Sequence, residues 1–263
     1  MPGRKLALVT GASGGLGLEF AKQLAVAGYD LVLVARSAAK LNEIALALRV
    51  AHGVEVATVV QDLSVPGAAD AVLAEVPRCD VLINNAGFAS NGRFDTLPVD
   101  RVREEVMLDV VALTELTRRY VPGMLERRNG KIMNVASTAG FIPGPFMAAY
   151  YASKAFVISF SEALWEEFRG TGVSVTCFCP GATATGFAER AEVRKTLLFA
   201  SMPMSNAADV ASEGYKAMMR GKRMKIARPL TNSLVPLAAL VPRGLLLKMS
   251  RKLVETPEAK VEA

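Results

Sequence analysis

The sequence predicts an α/β protein built on a doubly wound parallel sheet of about seven strands, with helices on both faces. Two observations predict this architecture. Short, β-branched apolar runs alternate along the chain with longer segments of helical periodicity. The strand-like runs are almost continuously apolar, which is typical of parallel strands that are buried on both faces. Ligands of such sheets bind at the carboxyl ends of the strands.

The elements follow one another in a regular order. Six runs are predicted as strands, and KIAR could form a seventh: 5–10, 30–36, 54–62, 80–87, 131–137, 173–181 and 225–228. Helices are predicted over 15–28, from an N-cap at Ser37 to Leu48, and over 100–128, 150–169 and 206–220. Because no linker interrupts this pattern, we expect one domain over residues 1–229 and an extension over 230–263.

Composition and charge exclude several classes of function. Three cysteines and one histidine show no metal-ligand spacing, so no metal site is predicted. Residues 222–252 carry eight basic residues and no acidic one, so the net charge of +6 belongs to the C-terminal end and does not indicate a nucleic-acid-binding surface. The chain shows neither a signal-peptide core nor an apolar run of spanning length, so we expect a cytoplasmic protein.

The segment TGASGGLG, residues 10–17, follows the first strand and opens the first helix. Glycines permit a tight turn and a close approach of the backbone, and a helix N-terminus offers N–H donors to a pyrophosphate. The spacing of Gly11, Gly15 and Gly17 is G-x-x-x-G-x-G. A purely structural turn is the alternative, but the strand before it and the helix after it favour a phosphate loop.

The second strand ends at Arg36. A carboxylate at such a strand end would bind a ribose 2′-hydroxyl and repel a 2′-phosphate, whereas an arginine does the reverse. This position therefore predicts a preference for NADP(H) over NAD(H).

Five motifs occur in one order: TGASGGLG, NNAG (84–87), Ser137, Tyr150-x-x-x-Lys154 and PGATAT (180–185). Together they resemble the short-chain dehydrogenase/reductases of about 250 residues, over residues 5 to about 228. The resemblance implies a Rossmann-like fold and a nicotinamide cofactor.

The resemblance also implies the role of each matched residue. The catalytic set would be Ser137, Tyr150 and Lys154. The expected cofactor contacts, besides Tyr150 and Lys154, run from the phosphate loop to the segment after the sixth strand: Gly11, Ser13, Gly15, Leu16, Gly17, Arg36, Ser37, Asp62, Leu63, Asn85, Ala86, Gly87, Pro180, Gly181, Thr183 and Thr185.

Two adjacent tyrosines compete for the catalytic position. Residues i and i+4 share a helix face, which favours Tyr150 as the partner of Lys154. A tyrosine has an ordinary pKa of about 10, and a nearby ammonium should lower it. Tyr151 lies about 100° further around the helix, so we expect it to be a packing or interface residue.

Asp109 departs from the family pattern, which commonly has an asparagine there that helps to hold a water against the lysine. Asp109 is similar in size and could still hold that water, so we count it among the expected catalytic residues. As a carboxylate it could favour the ammonium of Lys154, or it could stay protonated if it is buried. It could also be an ordinary helix residue.

Three variable segments, 88–98, 138–148 and 186–205, should surround the substrate, with the last as its lid. Their apolar side chains suit a lipophilic ligand. The substrate contacts we expect are Phe94, Phe141, Phe187 and Met202.

After Pro229 the chain leaves the family pattern. Residues 234–254 read as a basic amphipathic helix, with Leu245, Met249 and Leu253 on one stripe. Such a helix could lie on an anionic membrane surface, cover a neighbouring subunit or cover the pocket entrance. We expect a homodimer or homotetramer.

The sequence thus predicts an NADP(H)-dependent oxidoreductase that acts on a lipophilic ketone or secondary alcohol, with Tyr150 as general acid/base. An epimerase or dehydratase on the same fold is an alternative. A cofactor-sensing binding protein without activity is another, which the intact catalytic set disfavours.

Overall fold

The computed structural model describes residues 4–187, 191, 196, 204–227, 238 and 240–255. Seven parallel strands form one sheet, which confirms the predicted architecture, and their order is β3-β2-β1-β4-β5-β6-β7. The strands are β1 (Leu6–Thr10), β2 (Asp30–Ala35), β3 (Val56–Val60), β4 (Val81–Asn84), β5 (Gly130–Val135), β6 (Val173–Cys179) and β7 (Met224–Ile226).

The helices cover both faces of the sheet. Within the described residues they are α1 (Gly15–Val26), α2 (Ala38–His52), α3 (Ala68–Glu75), α4 (Val99–Val106), α5 (Leu113–Glu126), α6 (Ala148–Glu167), α7 (Ala207–Met219) and α8 (Arg243–Val254). A π-helical turn, Met107–Ala112, joins α4 to α5, and a 3-10 turn, Thr138–Phe141, follows β5.

Two apolar layers sandwich the sheet. Successive side chains of a strand face opposite sides, so Val9 packs with Phe20 and Phe178 in one layer, whereas Leu8 packs with Leu116 and others in the second layer. The Phe20 and Phe178 rings meet edge to face with centroids 5.9 Å apart. Each of these fully buried side chains contributes about 1.5–3 kcal/mol to folding.

Strand β1 pairs with β2 on one side and with β4 on the other. Strands β2 and β3 are added on the first side, and strands β4 to β7 on the second. This topological switch point opens a crevice at the carboxyl ends of those strands. Each predicted motif lies in or beside that crevice.

The sequence-based expectations were wrong in some local details. Helix α3 was not predicted, because its eight residues are mostly alanine and valine and show no long helical period. The expected single helix over 100–128 is divided by the π-helical turn. Several strands are shorter than predicted. Strand β4 ends at Asn84 and β6 at Cys179, so residues 85–87 and 180–181 lie beyond the sheet. Most of the expected lid over 186–205, including Met202, lies outside the described residues.

Candidate active site

The glycine loop leaves the start of α1 open. Gly14 occupies the N-cap position of this helix, and no acidic residue lies in the first turn. A Cβ on Gly14 would meet no atom within 4 Å. Because the first-turn N–H groups have no side-chain cap, they can serve as donors to an anion. This cradle fits the pyrophosphate of a dinucleotide.

Gly11 and Gly17 pack so closely against each other and against the end of β4 that neither position has room for a side chain. A Cβ on Gly11 would lie 2.8 Å from Asn85 Nδ2, and the φ angle of Gly11 is +66°. A Cβ on Gly17 would collide with the carbonyl oxygen of Gly11. Only glycine satisfies both constraints, so the spacing recognised in the sequence has a steric origin.

Thr10 and Asn85 fasten this loop to the neighbouring strand. The Thr10 hydroxyl accepts from the backbone N–H groups of Asn85 (2.9 Å) and Ala86 (3.0 Å). The Asn85 amide donates to the carbonyl oxygens of Thr10 (2.9 Å) and Gly11 (3.3 Å). Asn85 therefore shapes the phosphate loop, which sequence reasoning did not foresee. Thr10 was missed altogether, although its position at the strand end was a signal.

Arg36 extends from the end of β2 with 68% of its side chain exposed, and Nη1 lies 3.7 Å from Oδ2 of Asp62. Although partial burial opposes it, hydrogen bonds from Ser64 and the charge of Arg36 hold the pKa of Asp62 below its usual value. Ser37 occupies the predicted N-cap of α2 but makes no side-chain capping bond. Leu63 is buried in the apolar layer.

Ser137, Tyr150 and Lys154 come together at the ends of β5 and α6. The Ser137 hydroxyl is near enough to the Tyr150 phenol to lower its pKa, and it accepts from the N–H of Ala139 at 3.1 Å. The Lys154 ammonium lies 5.5 Å from the centre of the Tyr150 ring. It also donates to the Val135 carbonyl oxygen at 3.4 Å. The structure therefore assembles the three residues that the sequence motifs selected.

Asp109 directly contacts the lysine. Its Oδ2 lies 3.1 Å from Lys154 Nζ, and both side chains are almost completely buried. Its Oδ1 accepts from the N–H of Phe88 at 3.2 Å. No well-aligned hydrogen bond within the described residues reaches Oδ2, so Lys154 stabilises it mainly by charge. Asp109 is thus not an ordinary helix residue, and the π-helical turn that carries it is typical of functional positions.

The direction of the Tyr150 pKa differs from the sequence-based expectation. Burial raises this pKa, the hydrogen bond with Ser137 lowers it, and the charges of Asp109 and Glu105 raise it further. The expectation of a lowered pKa considered only Lys154. It did not include burial, which is the main cause of the rise, or the charges of the two carboxylates.

The segment after β6 returns to the phosphate loop. A Cβ on Gly15 would lie 3.2 Å from the Thr185 side chain. Thr183 is buried, and its hydroxyl donates to the Gly181 carbonyl oxygen at 2.9 Å. Pro180 accepts from the N–H of Thr138 at 3.0 Å, which ties this segment to the turn after Ser137.

An apolar wall surrounds the tyrosine. The rings of Phe187 and Tyr150 have centroids 5.4 Å apart, and Tyr151 meets Tyr150 edge to face at 6.1 Å. Tyr151 also lies directly over Gly144, where a Cβ would collide with its ring. Further members of this cluster are Ala89, Ala139, Ile142, Phe146, Met147, Ala191 and Val254.

Two expected substrate residues lie elsewhere. Phe94 is 66% exposed on its loop. Phe141 packs against a different cluster, which includes Val157 and Ile158. As substrate contacts, both remain predictions that the geometry does not favour.

Helix α8 closes one side of the apolar wall. The carbonyl oxygen of Val254 accepts from the Asn91 amide at 3.1 Å, and the Arg251 guanidinium lies 5.4 Å from the centre of the Phe146 ring. Leu246 and Ser250 also face inward. The stripe proposed from the sequence, Leu245, Met249 and Leu253, instead faces solvent. None of the helices among the described residues has the length and hydropathy needed to cross a bilayer.

A nucleotide cradle at the switch point and a Ser-Tyr-Lys set beside it define a class of dinucleotide-dependent oxidoreductases. The sequence model of the short chain dehydrogenase family matches residues 5–195. The chain belongs to this family.

Three similar proteins illustrate the family. A very-long-chain 3-oxoacyl-CoA reductase from Rattus norvegicus is 32% identical over 198 residues, which are 73% of this chain and 62% of the relative. The ketoacyl reductase HetN from Nostoc sp. is 34% identical over 90% of this chain and 84% of its own length. The structure of a short-chain dehydrogenase from Sphingobium yanoikuyae in complex with NADPH matches with a TM-score of 0.80 and 32% identity, over 90% of this chain and 93% of that one.

The chain spans between about half and three fifths of the length of the very-long-chain reductases that it matches. The likeness to them therefore concerns the oxidoreductase core. The cofactor class expected for this family, NAD(P)H, fits the glycine cradle at the start of α1.

Proposed function

We propose that this protein is an NADP(H)-dependent oxidoreductase that interconverts a lipophilic ketone and its secondary alcohol. The observation that carries the proposal is the convergence of Ser137, Tyr150 and Lys154 next to the glycine cradle and beneath an apolar wall. A binding protein without activity would not need these three groups together.

Each residue has a distinct chemical role in this proposal. Bound NADPH supplies the hydride. Tyr150 gives its phenolic proton to the substrate oxygen during reduction and takes it back during oxidation. Ser137 donates a hydrogen bond where negative charge develops on that oxygen. The buried ammonium of Lys154 stabilises the phenolate that remains after proton transfer.

The preference for NADP(H) is supported by Arg36. Its guanidinium is mostly exposed at the end of β2 and has only a long contact with Asp62. Such an arginine can bind a 2′-phosphate in a bidentate manner without first breaking a strong internal pair. Gly11, Gly15 and Gly17 would form the loop around the pyrophosphate.

The lipophilic substrate is supported by the side chains around Tyr150. Phe187, Ile142, Phe146 and Met147 provide an apolar lining with few polar groups. Two relatives are named as reductases of ketoacyl or 3-oxoacyl compounds. We therefore propose a 3-oxoacyl thioester as the first substrate class to test, with bulky ketones as the second.

Helix α8 supports contact with an anionic membrane surface. Its outward face carries Leu245, Met249 and Leu253, each more than a third exposed. The same helix carries Arg243, Lys248, Arg251 and Lys252 and no acidic residue, although Arg251 pairs with Glu255 just beyond its end. Apolar side chains next to cations suit an interface of anionic lipids. Vesicles with phosphatidylglycerol should bind the protein, and phosphatidylcholine vesicles should not.

Self-association is supported by a separate apolar surface. Val99 and Val106 of α4 and Phe156 of α6 are exposed, and Phe156 stacks on Phe160 with centroids 5.6 Å apart. We propose that these helices meet a second copy of the chain. Light scattering of wild type and Phe156→Glu separates a dimer from a monomer.

An NADPH-consumption screen tests the proposed function directly. The substrates are 3-oxoacyl thioesters of increasing chain length and ketones graded by size and polarity. Efficiency should rise with apolar length, because each buried methylene adds about 0.8 kcal/mol. Chemical change of a substrate without net oxidation of NADPH would favour an epimerase or dehydratase. NADPH binding without turnover of any compound would favour a binding protein.

A further inference from the structure

A second carboxyl group, that of Glu105, is buried on α4, which packs against the helix that carries Tyr150 and Lys154. Glu105 is located four residues before Asp109, and their side chains are 0% and 1% exposed. Carboxylates are almost never buried unless they are paired. Asp109 has Lys154 as its partner, so the charge state of Glu105 needs its own explanation.

The polar groups that face Glu105 are few. Ser90 approaches it with its hydroxyl and its backbone N–H, which both favour the carboxylate. Neither Glu105 oxygen, however, has a hydrogen bond of good geometry within the described residues. Arg101, one turn earlier on α4, also favours the charged form, but its guanidinium lies 4.0 Å from the centre of the Phe88 ring.

The fully buried groups of the cluster hold more acid than base, since Arg101 is only partly buried. Lys154 supplies one buried ammonium, and Glu105 and Asp109 supply two carboxyl groups. An excess charge in such an interior is costly, so the neutral form of one carboxyl is favoured. Burial raises the pKa of both carboxyl groups. The ammonium 3.1 Å from Asp109 opposes the rise there, so we infer that Glu105 is the group that keeps its proton.

The proton on Glu105 is held only up to neutral pH. Burial raises the pKa of Glu105 to about 7, with Ser90 lowering it, Asp109 raising it and Arg101 lowering it slightly. The charge of Glu105 in turn raises the pKa of Tyr150 on the neighbouring helix α6. The two groups are therefore electrostatically linked across the packed helices.

We propose that Glu105 is a positioning residue of the active site. Its buried carboxyl group acts on Tyr150 across the packed helices α4 and α6, and when it is charged it keeps the phenol protonated. The proposal rests on the proposed acid/base role of Tyr150. Its consequence is a bias in the direction of the reaction. Above neutral pH, ionised Glu105 favours the proton donor needed for reduction over the phenolate needed for oxidation.

The charge state of Glu105 can be tested without turnover. The variants are Glu105→Gln, Glu105→Met as a second uncharged variant should the first fail to fold, and Glu104→Gln as a control. Glu104 is the adjacent residue on the same helix and is exposed. The protein is labelled with ¹³C at the glutamate carboxyl groups, and the resonance of Glu105 is identified as the one that is missing from the spectrum of Glu105→Gln. In wild type this resonance should titrate near pH 7.

Thermal unfolding gives a second readout. The pKa of Glu105 is raised in the folded state, so the folded protein binds more protons than the unfolded one between the two pKa values. Its stabilising effect is present at low pH and is lost as pH rises through about 7. The difference in Tm, Glu105→Gln minus wild type, should therefore be several degrees larger at pH 8 than at pH 5. Glu104→Gln should show no such trend.

The link to Tyr150 is tested by the pH dependence of alcohol oxidation with NADP. In Glu105→Gln, the rise of the rate with pH should move to lower pH by about one unit, because one negative charge near the phenol is lost. A uniform loss of rate with an unchanged pH profile would indicate a merely structural residue and would overturn the proposal. A Glu105 resonance that titrates at the ordinary pKa of glutamate would also overturn it. Failure of the proposed acid/base role of Tyr150 gives a different result: Tyr150→Phe would stay active, while the Glu105 resonance would still titrate near pH 7 and the Tm difference would still depend on pH.

Discussion

The ammonium of Lys154 lies 3.1 Å from Oδ2 of Asp109, with 7% and 0% of their side chains exposed. The family pattern commonly has an uncharged asparagine at this position. Here the lysine contacts a carboxyl group. Burial raises the pKa of Asp109, and the ammonium and the N–H of Phe88 oppose that rise. The pair sets the electrostatic environment of the neighbouring phenol.

Replacing Asp109 with Asn should therefore destabilise the protein. The change leaves a buried ammonium without its contacting counter-ion, and breaking such a pair costs about 3–5 kcal/mol. Urea denaturation measures it. Asp95→Asn is the control, because the Asp95 side chain is 65% exposed and pairs only with Arg93 at the surface. Equal stability of Asp109→Asn and wild type would contradict the account of the pair.

Replacing Gly87 with Ala should push the side chains of Asp109 and Lys154 apart. A Cβ at this position would lie 2.8 Å from Asp109 Oδ1 and 3.3 Å from Lys154 Nζ. Forcing a methyl group into a packed site costs about 1–3 kcal/mol, and displacement of Lys154 should lower kcat as well. Gly244→Ala is the matched control, since a Cβ there would meet no atom within 4 Å. A fully active and stable Gly87→Ala would show that the site is looser than described.

Replacing Arg36 with Asp should reverse the cofactor preference. Loss of a charge-assisted contact of about 1.5–3 kcal/mol, together with the new repulsion, should lower kcat/KM for NADPH by about 10- to 100-fold or more. NADH should be affected much less, because it has no 2′-phosphate. Lys40→Ala, an exposed change on the following helix, serves as control. An unchanged ratio of kcat/KM for NADPH to kcat/KM for NADH would show that other residues bind the 2′-phosphate.

The parts of the site that depend on local spacing could be predicted from the sequence. The i, i+4 relation of Tyr150 and Lys154 and the glycine spacing before α1 follow from helix and turn geometry alone. The parallel sheet followed from its apolar strands, which need no long-range information beyond burial on both faces.

The parts that depend on tertiary burial could not be predicted in the same way. Glu105 lies between Glu104 and Val106 in a polar helix and reads as a surface residue, although its spacing from Asp109 was a signal. Burial is the main cause of the raised pKa of Tyr150, and the charges of these two carboxylates raise it further. The placement of Phe141 away from Tyr150 depends on how the turn after Ser137 packs on α6.

The central claim is that Tyr150, and not its neighbour Tyr151, is the acid/base group. The most direct test is kcat/KM for NADPH-dependent ketone reduction in Tyr150→Phe and Tyr151→Phe, with NADPH affinity measured by fluorescence in both. The account predicts that Tyr150→Phe loses about 10²- to 10⁴-fold in kcat with NADPH still bound, while Tyr151→Phe retains much of the activity. Full activity in Tyr150→Phe, or an equal loss in both variants, would contradict it.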